Sequence, residues 1–278
     1  MAEMFGAQVP LRWPIEPSIV LITLLLLGAY FAAATRWRAR FPDSLPVPPG
    51  RIVAFLAALA TLQLALQTPL ADLSDYYLFS AHMVEHMLLT LVFPPLLLIG
   101  VPGWMLRPVI VRFPALLTLG RILTQPLVAY AVFNAAFLVY HLPNFYDLSL
   151  SSPLAHIFFH QLFIATAILT WWPVLSQLRE LPPLSPPSQL IYLFAQTFPS
   201  GILGALFAFS GTALYRQYAD APRVWTALTP VADQELGGVI MWVIGGTLLL
   251  GAFVIVFLRW ALASEAQDRP RYRGASGR

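Results

Sequence analysis

Histidines occur along this chain as two pairs at helical spacing, with a fifth histidine between the pairs. His82 and His86 form the first pair, His156 and His160 form the second, and His141 lies between them. Residues four apart lie one above the other on one face of a helix, so each pair presents two imidazoles to a neighbour. Neutral imidazole is a good ligand for copper, zinc, iron or nickel. The spacing therefore predicts a metal site with these five histidines as candidate ligands.

Several carboxylate, amide and thioether side chains occur near the histidines or at the level predicted for them. Thioether sulfur would favour Cu(I), and carboxylates or amides could orient the imidazoles through hydrogen bonds. Asp147 and Asp233 could equally cap helices, and the methionines could simply pack in the core. The candidate auxiliary residues are Met83, Glu85, Met87, Asp147, Asp233, Gln234 and Met241.

Two other chemistries fit parts of the pattern. His82–His86 reads H-M-V-E-H, which matches H-x-x-E-H, a motif in which two histidines bind zinc and the glutamate is the general base. An intramembrane zinc metallopeptidase is therefore an alternative, although the second histidine pair would be surplus. A haem-binding electron carrier is another alternative, because histidines on two helices can ligate one haem.

The composition indicates a membrane protein. Hydrophobic residues make up 58% of the 278 residues and charged residues only 10%, against about 25% charged in an ordinary soluble domain. The lipid bilayer is thus an expected partner, and a net charge of +3 gives no reason to expect nucleic acid. The absence of cysteine excludes disulfides, iron–sulfur clusters and thiolate metal sites.

Apolar runs predict an all-α polytopic protein with seven transmembrane helices within residues 19–262. We expect residues 1–18 to be a periplasmic segment without a removable signal peptide, and residues 263–278 to be a disordered, basic, cytoplasmic tail. Pro102–Thr124 is expected to lie along the membrane interface. The seven runs are Ile19–Ala34, Ile52–Pro69, Tyr77–Val101, Pro126–Tyr140, Pro153–Val174, Ser188–Phe209 and Leu236–Leu262.

The arginines predict the orientation of these helices. With the N-terminus outside, 13 of the 16 arginines fall on the inner side, as the positive-inside rule requires. An odd number of spans then places the C-terminus in the cytoplasm. All five histidines fall at the outer ends of three consecutive spans, so the metal site is expected in the outer leaflet. The outer loop Gly211–Gln234, with Tyr215, Tyr218 and Trp225, could cover that site, meet a partner, or simply be an aromatic interfacial loop.

Several ordered motifs resemble the polytopic CtaG family of cytochrome c oxidase assembly factors, over roughly Arg51–Arg259. The resemblance implies a bacterial inner-membrane chaperone, without catalysis, that aids copper insertion into the catalytic subunit of a haem-copper oxidase. A periplasmic copper donor would be a further partner. The motifs are Ser80–Gly103 (SAHMVEHMLLTLVFPPLLLIGVPG), Tyr140–Asp147 (YHLPNFYD), Ser152–His156 with His160, Trp171–Leu175 (WWPVL) and Asp233–Trp242 (DQELGGVIMW).

Overall fold

The structure, a computed structural model, describes residues 12–41 and 44–275, with side chains described through residue 266. Most of the expected periplasmic segment therefore lies outside the described residues. The last three residues of the tail also lie outside them. The described chain is helical, and its helices are α1 (Pro17–Ala34), α2 (Pro49–Leu66), α3 (Pro69–Tyr76), α4 (Phe79–Met87, Leu88–Val92 and Phe93–Gly100), α5 (Gly103–Arg112), α6 (Pro114–Leu123), α7 (Pro126–Tyr140), α8 (Pro143–Ser151), α9 (Pro153–Leu175), α10 (Pro186–Ala208), α11 (Arg216–Asp220) and α12 (Pro230–Val239, Ile240–Ile244 and Gly245–Ala275).

Proline begins nine of these twelve helices. The first position of a helix suits proline, because the amide hydrogen that proline lacks would have no helical partner there and its fixed φ already matches the helix. Many of the prolines of this sequence therefore divide the apolar chain into helices, although Pro108, Pro173 and Pro199 lie inside them.

Six helices are long and apolar enough to cross a membrane: α1, α2, α4, α9, α10 and α12. A seventh span results only if α6 and α7 count as one, and these two helices meet at a bend of 77°. The short helices α5 and α6 occupy the stretch that the sequence predicts to lie along the interface, and most of their residues are exposed or half-buried.

The last helix extends beyond the stretch that the sequence assigns to the membrane. The sequence predicts a disordered tail from residue 263 onward, and α12 continues into this segment as far as Ala275. Starting a helix is unfavourable, whereas extending an existing helix adds one hydrogen bond for each residue fixed. The long apolar helix thus provides the start, and the good helix formers Glu265 and Ala266 extend it.

Helix α4 carries the first histidine pair and contains one π-helical turn, Leu88–Val92, directly after that pair. The cause lies one turn further on, where Pro94 cannot donate a hydrogen bond to the carbonyl of Thr90. The indole Nε1–H of Trp171 in α9 donates to this carbonyl instead, at 2.9 Å. The proline thus fixes both the irregular turn and the position of α9 beside α4.

Glycines allow the helices around α4 to pack closely. A Cβ at Gly238 in α12 would lie 2.5 Å from the backbone nitrogen of Ala208 and 2.6 Å from the carbonyl oxygen of Gly204 in α10. A Cβ at Gly100 would lie 2.5 Å from the backbone nitrogen of Phe55 in α2. Small residues at such crossings let the helix backbones approach each other in the absence of a water-driven force.

Candidate metal centre

His82 is the best-anchored histidine of the cluster. It is fully buried, its Nδ1 lies 3.1 Å from the Ser74 hydroxyl, and its Nε2 lies 3.2 Å from the Tyr140 hydroxyl. Both ring nitrogens therefore have a hydrogen-bond partner. The ring of His86 lies one turn further along α4, with a centroid separation of 4.1 Å, as the spacing of the pair predicts.

The imidazoles of His141 and His160 lie beside that of His86, and among the described residues most nitrogens of these three rings have no hydrogen-bond partner. The ring centroid of His86 lies 6.1 Å from that of His141 and 6.3 Å from that of His160. All three are buried. Among the described residues, no hydrogen-bond partner reaches either nitrogen of His86, Nε2 of His141 or Nε2 of His160. We call His86, His141 and His160 the imidazole set.

The second pair, on α9, faces two carboxylates on α3 and α4. His160 Nε2 lies 3.6 Å from Glu85 Oε1, and His156 Nε2 lies 3.7 Å from Asp75 Oδ1. Both separations exceed an ordinary hydrogen bond. Two donor atoms on one tetrahedral ion, with bonds of about 2.0–2.1 Å, would be roughly 3.4 Å apart. The spacing of these nitrogens and oxygens is therefore close to that of ligands sharing an ion.

Asp75, His82 and Glu85 form a second donor group, which we call the mixed set. One ligand atom from each residue lies within 4.8 Å of the other two. Ser74 donates its hydroxyl hydrogen to Glu85 Oε2, which leaves Oε1 without a partner among the described residues. Burial raises the pKa of the Asp75 carboxyl to about 6, His156 opposes this rise, and Asp72 adds to it.

Tyrosines from the loop after α10 cover the cluster. Tyr215 and Tyr218 are buried, and their hydroxyls donate to the carbonyl oxygens of His141 at 2.8 Å and of Ser74 at 2.6 Å. Tyr146 of α8 donates its hydroxyl hydrogen to Tyr218 at 3.0 Å. These three tyrosines form what we call the tyrosine roof. The sequence left three roles open for this loop, and the buried positions of Tyr215 and Tyr218 are compatible with the first of them, covering the cluster.

Of the candidate auxiliary residues, the methionines lie close to the cluster but pack in the core between helices. Met83, Met87 and Met241 belong to the buried core between α4 and α12, where a Cβ at Gly245 would lie 3.1 Å from the sulfur of Met87. Asp147, on α8, is half-buried, and its Oδ1 has no partner among the described residues.

Asp233 and Gln234 fix the ends of elements around the site. Asp233 accepts hydrogen bonds from the amides of Phe79 and Ser80, at 2.7 and 3.2 Å, and so caps α4 one turn before His82. The sequence left open a cap on the last span, but Thr229 occupies that position. Gln234 accepts from the Leu214 amide at 2.7 Å and donates to the Ser210 hydroxyl at 2.6 Å, which holds the loop that carries the roof.

Sequence reasoning missed Asp75, Ser74 and Tyr140. Asp75 and Ser74 belong to the short amphipathic helix α3, whose role becomes visible only when α3 folds back beside α4. The signal in the sequence is the Leu-Ser-Asp triplet shortly before the first histidine pair, since polar residues that close to a span need a reason to be buried. Tyr140 directly precedes His141, and an aromatic residue there is too common at an interface to be informative.

Comparison with known proteins decides the family. The family model described as cytochrome c oxidase caa3 assembly factor matches residues 28–263. The chain belongs to this family. This confirms the resemblance seen in the sequence motifs, and the matched region includes α2–α11, both histidine pairs and the tyrosine roof.

Two mycobacterial relatives give no further functional information. One is from Mycobacterium bovis and one from Mycobacterium tuberculosis, and both are described as uncharacterized. Each is 26% identical over 288 residues, covering 95% of this chain but 41% of the relative. The chain thus spans about two fifths of the length of the curated relatives that it matches. No solved structure matches the chain.

Proposed function

We propose that this caa3 assembly factor binds copper at the histidine cluster and delivers it to the catalytic subunit of a haem-copper cytochrome c oxidase. Copper is then the cargo of the site. The family supplies the link to oxidase assembly, and the chemistry of the cluster supports the metal. The proposed partners are the oxidase subunit that receives the ion and a periplasmic donor that provides it.

The observation that carries the proposal is the imidazole set. Buried polar atoms in folded proteins are nearly always hydrogen-bonded, and an unpaired one needs an explanation. In the described part of the chain, both nitrogens of His86 and Nε2 of His141 and of His160 are buried without hydrogen-bond partners, and the three rings are neighbours. Imidazole is a preferred ligand of copper, so an ion beside His86 would satisfy some of these nitrogens. Closing all three rings on one ion would require side-chain movement, because among the described residues only Asp75, His82 and Glu85 bring three donor atoms within 4.8 Å of one another.

The mixed set gives the cluster a second environment for the same ion. His160 and Glu85 join the two sets, because their facing atoms lie 3.6 Å apart. Carboxylate oxygen suits copper less well than imidazole does. We therefore propose that the ion is held most tightly by the imidazole set and leaves by way of Asp75 and His82, close to the tyrosine roof.

The proposed topology has seven spans in the bacterial inner membrane, with α6 and α7 acting as one broken span. The arginine distribution supports a periplasmic N-terminus and a cytoplasmic C-terminus. In this orientation the cluster and its roof face the periplasm, where a copper donor and the outer part of an oxidase would meet them.

Metal analysis of the purified chain tests the proposal directly. The protein would be purified in mild detergent from copper-supplemented cells, and its metals and absorption spectrum measured. We expect near-stoichiometric copper and no haem band, with copper lost from the double variant His86→Ala/His160→Ala. Phe163→Leu is a matched control, because Phe163 packs on the His86 ring at a centroid distance of 4.9 Å but supplies no ligand atom.

Each other outcome counts against copper delivery. Zinc alone, with peptide hydrolysis that requires Glu85, would favour the metallopeptidase. Iron with a haem band would favour the electron carrier. Equal copper in the double variant and in the Phe163→Leu variant would show that the histidine cluster is not where copper binds.

A further inference from the structure

A second polar site lies at the end of the helix bundle opposite the histidines. It is an open groove of about 330 Å3 between the chain entering α2, the α4–α5 junction and the loop after α9. Three arginines line it: Arg51, Arg107 and Arg179. The groove lies at the end of α4 and the first histidine pair near its start, and the two ends of this helix are about 30 Å apart. The groove is therefore separate from the proposed copper site.

The arginines leave the groove with excess positive charge. Arg107 pairs with Glu180 at 2.7 Å, and this hydrogen bond lowers the pKa of the Glu180 carboxyl. Arg51 donates from one nitrogen, Nη1, to the Gln177 side chain and to the Ile99 carbonyl oxygen at 3.4 Å. Both of these acceptors are neutral. Among the described residues that line the groove, three are arginines and none is a carboxylate, and Glu180 beside them pairs with Arg107, so the described lining of the groove carries more positive than negative charge.

Two helix N-termini add to this positive potential. Helix α2 begins after Pro48 and helix α5 after Pro102, and both prolines line the groove. Proline has no side-chain acceptor to cap a helix, and neither helix has an acidic residue in its first turn. The amide groups of both first turns therefore contribute partial positive charge, which favours an anion. Arg51 lies in the first turn of α2, where a positive side chain is unfavourable unless an anion is bound nearby.

The remaining walls of the groove are apolar. Leu45, Val47 and Trp104 line it together with Leu178. A tryptophan beside arginines is typical of the membrane–water interface, where the ring lies at the level of the lipid headgroups. An occupant with an anionic head and an apolar body would match both kinds of wall, whereas a free anion would match only the arginines.

We propose that this groove binds the phosphate headgroup of an anionic phospholipid. The headgroup phosphate accepts hydrogen bonds from Arg51 and Arg179, and the acyl chains continue along the apolar wall. Planar guanidinium groups suit phosphate oxygens because they can donate two parallel hydrogen bonds. The lipid thereby fills the space where the first turns of α2 and α5 meet the end of α4.

The test measures lipid binding by the full-length chain in neutral detergent. Phosphatidylglycerol would be titrated into the protein, with phosphatidylcholine as the zwitterionic lipid and inorganic phosphate as the soluble anion. The readouts are the unfolding temperature and the number of lipids retained in native mass spectrometry. We expect phosphatidylglycerol to raise the unfolding temperature and to be retained, and the other two to have much smaller effects.

Charge-matched variants locate the effect. Arg51→Gln/Arg179→Gln should weaken the apparent affinity for phosphatidylglycerol by about tenfold to thirtyfold. Arg112→Gln/Arg121→Gln removes the same charge from exposed positions on α5 and α6 that do not line the groove, and should change the affinity less than about threefold. Equal weakening by both double variants would overturn the groove as the site. Equal stabilisation by inorganic phosphate would overturn the lipid.

Discussion

Replacing His86 with leucine should stabilise the metal-free protein. His86 is 3% exposed, and neither of its ring nitrogens has a hydrogen-bond partner among the described residues. Each buried, unpaired polar atom is unfavourable by about 1–3 kcal/mol. Leucine removes both atoms, and a hydrophobic side chain of similar size adds less than about 1.5 kcal/mol of repacking strain. The expected net gain is therefore on the order of 0.5–6 kcal/mol.

His82 provides the matched control, one turn earlier on the same helix. It is equally buried, but both of its nitrogens are hydrogen-bonded, to Ser74 and Tyr140. Leucine at position 82 would remove one hydrogen-bond partner from each of these hydroxyls, which would keep only Glu85 and Ser149 among the described residues, so His82→Leu should destabilise the protein by about 1–3 kcal/mol. The two substitutions are chemically the same and should have opposite signs.

Thermal unfolding after chelator treatment measures both effects. The chain has eight tryptophans, so intrinsic fluorescence is a suitable probe of unfolding. At about 2–4 °C per kcal/mol, His86→Leu should raise the unfolding temperature by roughly 1–24 °C and His82→Leu should lower it. Added copper should then stabilise the wild type, because it binds only the folded state, but not the His86→Leu variant.

A lower unfolding temperature for both variants would refute this reasoning. It would mean that the His86 nitrogens are satisfied in the metal-free protein, for instance by water, and that their burial is no argument for a ligand. A rise for His86→Leu with unchanged copper binding would separate the two claims, since the unpaired nitrogens would be real but would not belong to the copper site.

Three further substitutions test the parts that position the site. Asp233→Ala should lower the unfolding temperature more than Glu235→Ala, by the equivalent of about 2–4 kcal/mol, because only the first removes the buried carboxylate that caps α4. Gly238→Ala should destabilise by at least about 2 kcal/mol, since its Cβ would meet the backbone of α10, whereas Gly246→Ala, with nothing within 4 Å, should be neutral or slightly stabilising. Tyr218→Phe should leave copper stoichiometry unchanged but increase the rate of copper exchange with a chelator severalfold, because it unties the tyrosine roof from α3; an unchanged rate would argue that the roof does not control access.

Most of the helical architecture could be predicted from composition and proline positions. Apolar runs of spanning length and prolines at helix starts are local signals, and they located six spanning helices. The bend between α6 and α7 could not be predicted in the same way, because a 77° change of direction depends on packing rather than on hydropathy. The polar composition of the tail favours disorder, whereas α12 continues to Ala275, because an existing helix can be extended without a new start.

The histidine cluster could be predicted because spacing and depth are properties of the sequence. Four of the five histidines are indeed buried, and His156 is about a quarter exposed. The carboxylate of Asp75 could not be placed there, because α3 is only eight residues long and its position beside α4 depends on long-range contacts. The same limit applies to the roof, where Tyr218 reaches Ser74 across 144 residues of sequence.

The π-helical turns explain why a regular helical wheel describes only part of this site. In α4 the turn follows His86 directly, so the residues after it are rotated relative to the face that carries the histidine pair. In α12 a second such turn, Ile240–Ile244, contains Met241 and ends just before Gly245, which packs on Met87. Both irregular turns thus lie at the same contact between α4 and α12. They let the methionines fill that contact while His82 and His86 face α7 and α9, and π-helical turns occur frequently at functional sites for this kind of reason. Sulfur and imidazole therefore belong to two different faces of α4, and the ligands of the proposed copper site are to be sought among the imidazoles and the carboxylates that face them.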